Sequence, residues 1–475
     1  MHSEPFVHLV DLSHDRVLVA WGAFAFVRDP GAPGWDIVDD ERLEEATGRR
    51  TCIGSSAEPF GDAAVEVLAV DGEVVATEST QDRAWVWVTG LTPDTDYTYR
   101  VLVNGREWAA GERWDWVPSS LGGFDLRPAG REYDLRFRTW PPPDAPTPSV
   151  RFVALGDYGV GIRSDAESSR RQRRIAEVLD RLVEEGDVRF VVSLGDNIYQ
   201  GEDGRVDDES GGEDDDWYSS FFEPYRYALA RVPFFPAIGN HDTSDTEGSD
   251  DRAQLEDNFH LRERFHGEGD RASVEPGLFY RLAYGRDLEL VCVDTSQDDS
   301  DEGVHRFFQA PEHQDWLEQT FSPRGVRWLI PFSHHPTYCA GPEHHNDEEM
   351  RETLLPLWER AGVALVLAGH EHNFQLSEAD GRTYVVSGAG AKLREEVPEG
   401  FAHAHTKGWA AQAHLLVVDI DGDEARLTPI AGLLDDGRPH PMTLLSPGNE
   451  VLLPPFTVSA PPAAASAGTL SRRDE

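Results

Sequence analysis

Phe190-Val191-Val192-Ser193-Leu194-Gly195-Asp196-Asn197-Ile198-Tyr199 is an apolar run that turns at a glycine and delivers an acid, an amide and a phenol. A short apolar run bounded by a turn signal reads as a buried strand, and in α/β folds sites form where such strands end. Five further stretches repeat the plan: Gly156-Asp157-Tyr158-Gly159, Gly239-Asn240-His241-Asp242, Ser333-His334-His335-Pro336, His344-His345 and Gly369-His370-Glu371-His372. Hard and borderline metal ions require oxygen and nitrogen donors converging from separate strand ends. The ordered set therefore points to a two-metal site.

Outward from these motifs the chain changes rhythm once, and its 475 residues predict two domains. Residues 1–140 read as all-β: Trp85 and Trp87 alternate with Val86 and Val88, and Asp71-Gly72 sits between apolar runs as a hairpin turn. Pro141-Pro142-Pro143, with Pro146 and Pro148, predicts a stiff linker over 141–148. From 149 to 453 short apolar runs alternate with helical spacing, as in Ile175, Val178, Leu179, Leu182 and Val183 on a helix starting near Ser168. Strands are expected from Val150 to Leu155, Phe190 to Leu194, Leu288 to Val293, Trp328 to Ile330, Val363 to Ala368, Thr383 to Ser387 and Leu415 to Ile420. This predicts an α/β fold, a layered β-sandwich flanked by helices, behind the all-β region. Pro331 cannot donate to a ladder, so its strand is expected to end there or lie at an edge. Residues 454–475, rich in Pro, Ala and Ser, read as a disordered tail, and the acidic stretch Glu202 to Asp216 as a solvated loop.

The formal net charge of −44 argues against nucleic acid as a partner, because phosphate backbones would be repelled. An anionic substrate meets the same repulsion, which only a locally positive metal centre resolves. The lysines are Lys392 and Lys407; the remaining cationic side chains are Arg. An acid-rich, Lys-poor surface suits a salt-rich medium, where screening removes self-repulsion, so salt adaptation is an expectation that thermal stability against salt can test. The apolar runs are strand-sized, so no membrane span is expected. Met1 to Pro5 lacks a basic segment followed by an apolar one, which reads as a soluble cytoplasmic protein, or a secreted one if the chain start omits a processed segment. Cys52, Cys292 and Cys339 are too few for a disulfide framework, and Cys292 reads as core.

The order of motifs resembles the calcineurin-like metallophosphoesterases and, within them, the purple acid phosphatases, over about residues 149–430. Leu91-Thr92-Pro93-Asp94-Thr95-Asp96-Tyr97 resembles the fibronectin type III signature, in which a buried Leu and a Tyr pin the crossing between two sheets; a generic β-sandwich is the other reading. Two details mark the purple branch. Gly159 stands where typical phosphodiesterases of the superfamily carry the His of Asp-x-His, and Tyr199 completes Gly-Asp-x-x-Tyr. The resemblance implies that Asp157, Asp196, Tyr199 and His372 hold a first ion, iron. It implies that Asp196, Asn240, His334 and His370 hold a second, Zn, Mn or Fe, with Asp196 bridging. Anionic oxygen donors suit a trivalent ion, and an amide with two imidazoles suits a divalent one. His335 falls on a variable position of the family.

The implied reaction is hydrolysis of a phosphate monoester in a small phosphorylated substrate. A metal-bound hydroxide attacks phosphorus, and His241 gives the leaving group its proton while Asp242 orients or charges that imidazole. His344 and His345 stand near the place of a substrate-contacting pair in plant members. Plainer readings stand beside these: Tyr199 as a packing residue, Asp196 as a helix cap. Two rival functions stay open. One is a phosphodiesterase or nucleotidase of the superfamily, against which Tyr199 and Gly159 count. The other is a binding module with a structural metal site, against which the complete motifs and His241 count. The substrate's identity and the oligomeric state are not legible.

Overall fold

A computed structural model describes residues 2–28, 34–38, 61–120, 122–163, 166–186, 188–199, 217–243, 251–265, 277–298 and 305–461. Cys52, the acidic stretch 202–216 and residues 462–475 of the expected tail lie outside them.

The N-terminal region is all-β, as its alternation predicts. One sheet is built on the antiparallel pair His2–Leu12 and Arg16–Val27, with Asp36–Val38 and Trp85–Thr89 also pairing along Arg16–Val27. A second runs Arg136–Arg138, Asp96–Val103, Ala63–Leu68, Val74–Thr80, and its last hairpin turns through Asp71-Gly72. Leu91 and Tyr97 are both buried, and the Tyr97 hydroxyl accepts from the Thr92 N–H at 2.9 Å. That bond ties the entry of strand Asp96–Val103 to the loop before it, the part a tyrosine plays at the corner of a β-sandwich.

The rest is α/β, built on two mixed sheets. In the first, Phe234–Pro236, Val188–Ser193 and Val150–Leu155 are parallel neighbours, and Leu415–Asp421 and Glu424–Leu433 continue antiparallel. In the second, Leu288–Cys292, Trp328–Ser333, Leu365–Ala368 and Arg382–Ser387 are parallel neighbours. Helix Glu167–Glu184 buries Ile175, Val178, Leu179, Leu182 and Val183, the residues whose spacing predicts it. Among the described residues no helix is long and apolar enough to cross a membrane.

The two regions share one hydrophobic core. Trp140, at the end of the β-region, is buried with its ring 5.5, 5.9 and 5.3 Å from those of Phe190, Phe235 and Tyr284. The Tyr99 hydroxyl donates to the Ala230 carbonyl at 2.5 Å. The proline-rich segment is held as well: Thr147 N–H donates to Asp287, and Arg286 N–H donates to the Ala145 carbonyl.

Two expectations need correction. Pro331 neither ends its strand nor lies at an edge: Trp328–Ser333 runs through it, with strands on both sides. The Phe332 carbonyl accepts from Val293 N–H, so Phe332 faces that neighbour and Pro331 faces the other, where pairing with Leu365–Ala368 begins only at Phe332. The ladder to Leu288–Cys292 is therefore complete, and the proline costs a bond only on the Leu365–Ala368 side. The first residues of the expected tail are ordered, because Phe456–Ser459 pairs antiparallel with Glu424–Leu433, with Val458 inward.

Candidate metal centre

Each parallel strand of the site hands over to a motif at its carboxyl end. Gly156 follows Val150–Leu155, Gly195 follows Val188–Ser193, Gly239 follows Phe234–Pro236, His334 follows Trp328–Ser333 and Gly369 follows Leu365–Ala368. Turning out this abruptly puts Asp157, Asp196 and His370 in the left-handed region, at φ 58°, 49° and 71°. Residues with a Cβ disfavour it, and such strain concentrates at functional sites. Gly195 lets two loops meet, since a Cβ there would lie 2.6 Å from His334 Nδ1. At Gly159 a Cβ would run into the Asn197 carbonyl, so the loop has no room for the histidine of an Asp-x-His pattern.

Two sets of donor atoms result. Tyr199 Oη lies 2.8 Å from Asp196 Oδ2, 3.1 Å from Asp157 Oδ1 and 3.3 Å from His372 Nε2. On the other side of the same carboxylate, His334 Nε2 lies 3.3 Å from Asp196 Oδ1, 3.0 Å from Asn240 Oδ1 and 3.1 Å from His370 Nδ1. The structure thus brings together all seven residues expected as ligands, and the two oxygens of Asp196 belong to different sets. Asp157, Asp196 and His334 are fully buried. His334 Nδ1–H donates to the Leu194 carbonyl at 2.8 Å, which leaves Nε2 as the free lone pair.

Electrostatics shows what this cluster lacks. Burial would raise the Asp196 carboxyl, but His334 and His241 hold it below the usual range. Burial would lower His334, yet Asp196 pushes it up to about 9. Tyr199 is driven well above 10 by burial and by the Asp157 and Asp196 carboxylates. Anionic and lone-pair donors face one another in a largely buried site, and cationic charge is what would let the phenol ionise there. The donor sets fit that need, oxygen-rich on the Tyr199 side and nitrogen-rich on the other. Asp157, Asp196 and His334 form one group close enough to share an ion, and His334, His335 and His370 another.

A profile of the Calcineurin-like phosphoesterase family matches residues 150–374, the span that holds every donor above. The chain carries a calcineurin-like phosphoesterase domain. It is 28% identical over 283 residues to tartrate-resistant acid phosphatase type 5 of Mus musculus, covering 55% of this chain and 80% of that protein. It is 28% identical over 272 residues to purple acid phosphatase 4 of Arabidopsis thaliana, covering 52% and 70%. A solved structure of PhoD shares the fold at TM-score 0.60 and 12% identity, over 98% of this chain and 92% of that one, so the likeness includes the N-terminal β-region.

Around the donors of the phosphoesterase domain, the expected accessory residues divide. The His241 ring lies 4.5 Å from that of Tyr199, and the His241 backbone N–H donates to Asp196 Oδ1 at 3.0 Å. The His344 ring stacks on His370 at 3.7 Å, and His344 and His345 both line a cleft of about 410 Å³ that His370 also borders. Asp242, expected as the partner of the His241 imidazole, is bonded through both carboxylate oxygens to the neighbouring loops. Its Oδ1 accepts from the N–H groups of Asn197 and Ile198, and its Oδ2 from Gly239 N–H and Asn197 Nδ2. It ties the Asp196 loop to the Asn240 loop, because four donors converge where two strand ends diverge.

Three neighbours escape sequence reasoning. Lys392 Nζ sits 4.4 Å from the centre of the Tyr199 ring, with its backbone N–H on the Asp157 carbonyl. Buried Glu371 accepts from His344 N–H at 2.9 Å and faces Arg394. Buried Asn197 accepts from the Tyr158 hydroxyl at 2.8 Å and donates to Ala237 and Asp242. One signal was available for Lys392, a lysine in a chain whose cations are otherwise almost all arginine.

Proposed function

We propose that the protein is a binuclear-metal phosphatase hydrolysing phosphate monoesters. The observation that carries this reading is Asp196, whose two oxygens face two separate donor sets. On it, Asp157, Asp196, Tyr199 and His372 hold iron, and Asp196, Asn240, His334 and His370 hold Zn, Mn or Fe. When bound, such a pair supplies Lewis-acid charge and a nucleophile drawn from water at neutral pH. The chain's own residues bind, orient and move protons. His241, half-buried beside Tyr199, gives the leaving alkoxide its proton. His344 and His345 contact the substrate at the rim of the cleft. Lys392 adds positive charge beside the centre, against the charge of a strongly acidic chain. Similarity to two acid phosphatases favours monoesters. The same reading divides the chain into a β-sandwich over 1–140, a linker over 141–148 and a catalytic domain over 149–453.

His241→Ala tests it. Metal content by elemental analysis is expected to stay at two ions, while turnover of an alkyl phosphate falls about 10²- to 10⁴-fold; unchanged turnover removes His241 from the mechanism. The purified protein should also show a visible Tyr-to-ferric absorption band. A colourless protein that cleaved diesters alone would overturn both the iron assignment and the monoester reading.

A further inference from the structure

The strands that deliver Asp196 and Asn240 have a second concavity at their other end. Val188 opens the strand that leads to Asp196, and Arg231-Val232 precede the one that leads to Asn240. Between these residues and the N-terminal sheet lies a cavity of about 410 Å³. At ~3.3 Å per residue, one strand of this length puts it roughly 20 Å from the metal centre.

Arg136, Arg138, Arg189 and Arg231 all line this cavity, in a chain of net charge −44. The nearby carboxylates are already engaged. Asp94 and Asp96 pair with Arg138, at 3.0 and 3.4 Å. Asp134 pairs with Arg136 Nε at 2.8 Å and stands 3.5 Å from Arg231 Nη1. Arg231 is 8% exposed, and its buried Nε and Nη1 have no hydrogen-bond partner. Arg189 Nε is in the same state, although its Nη2 donates to the Arg138 and Thr139 carbonyls. Buried guanidinium N–H groups without acceptors are unfavourable, and a guanidinium fork matches the oxygens of a carboxylate or phosphate. The rest of the wall is mixed: Asp96, Tyr97 and Thr98, together with an apolar face of Phe137, Val183, Val188 and Val232.

We propose that this cavity binds a small organic anion, with its phosphate or carboxylate group on Arg231 and Arg189 and its apolar body against Phe137, Val183 and Val188. Because the walls come from both regions, the ligand stabilises their docking as it binds.

Calorimetric titration of the full-length protein with phenylphosphonate and with benzoate tests the proposal, in wild type, Arg231→Met and Arg189→Met. Wild type should show a binding event separate from any inhibition of ester hydrolysis. In each variant that event should weaken about tenfold or more, while turnover and its inhibition stay at wild-type level. If Arg231→Met does not fold, Arg189→Met carries the comparison. An isotherm that tracks inhibition alone, or variants that bind as wild type does, overturns it. A response to phenylphosphonate without one to benzoate assigns the site to phosphate groups, and the converse assigns it to carboxylates.

Discussion

The metal centre and the seam between the N-terminal sheets and helix Glu223–Leu229 both bury charge, in opposite patterns. At the centre, donors converge: the Asp157 and Asp196 carboxylates, the Tyr199 phenol, the Asn240 amide and three imidazoles face one another. At the seam the signs interleave. Glu4 lies 3.5 Å from Arg113 and 4.0 Å from Arg226, Arg226 also bonds Asp115 and the Trp114 carbonyl, and Glu223 accepts from Trp116 N–H at 2.6 Å. Burial of charge alone therefore does not mark a functional site. Interleaved charges satisfy one another and join two regions, whereas converging acceptors ask for an ion from outside.

Removing the shared carboxylate puts the most weight on that contrast. Asp196→Ala should lose both ions by elemental analysis. Turnover should drop about a thousandfold or more, since metal charge is worth several kcal/mol and about 1.4 kcal/mol is tenfold in rate. Two ions retained per chain would mean that the donors converge without serving one centre. Asp242→Ala is a smaller step outward. Because Asp242 holds the Asp196 and Asn240 loops together, metal affinity should fall about 10- to 100-fold. If Asp242 acted on His241 alone, turnover would fall with affinity unchanged.

How much was legible follows from which interactions are local. The pattern of a strand end followed by donors at Asp157, Asp196, Asn240, His334, His370 and His372 is a local signal, and so is the period of helix Glu167–Glu184. Tyr199 was reached only because Gly-Asp-x-x-Tyr resembles the purple acid phosphatase motif. The bracing part of Asp242 was not legible because its donors on Asn197 and Ile198 lie more than 40 positions away, while adjacency pointed only to His241. Pro331 was misread for a related reason: a proline's effect depends on which neighbour its missing N–H faces, and register is not local. The seam was invisible, since Glu4, Arg113 and the helix that carries Glu223 and Arg226 are distant in sequence with no motif between them.

The smallest effect belongs to the seam, and it is a pH dependence. Burial pushes the Glu223 carboxyl up from 4.5 to about 8, although Arg226 opposes the shift, and Glu223 Oε2 has no hydrogen-bond partner. Below pH 4.5 folded and unfolded chains both hold that proton. Between 4.5 and 8 the folded chain alone keeps it, so Glu223's contribution to stability falls as pH rises, and the slope ends above 8. Buried His8 acts at the acid end. Burial holds its imidazole well below 6.5, so unfolding takes up a proton and stability is lost as pH drops beneath 6.5. Glu223→Gln keeps an oxygen for Trp116 N–H and removes the titration. Its melting temperature should match wild type near pH 4 and exceed it by a few degrees at pH 8 to 9. A variant that melts lower than wild type at pH 8 would show that Glu223 is ionised in the folded protein and paired with Arg226. The seam would then rest on full ion pairs, and the contrast with the metal centre would narrow to the convergence of donor atoms there.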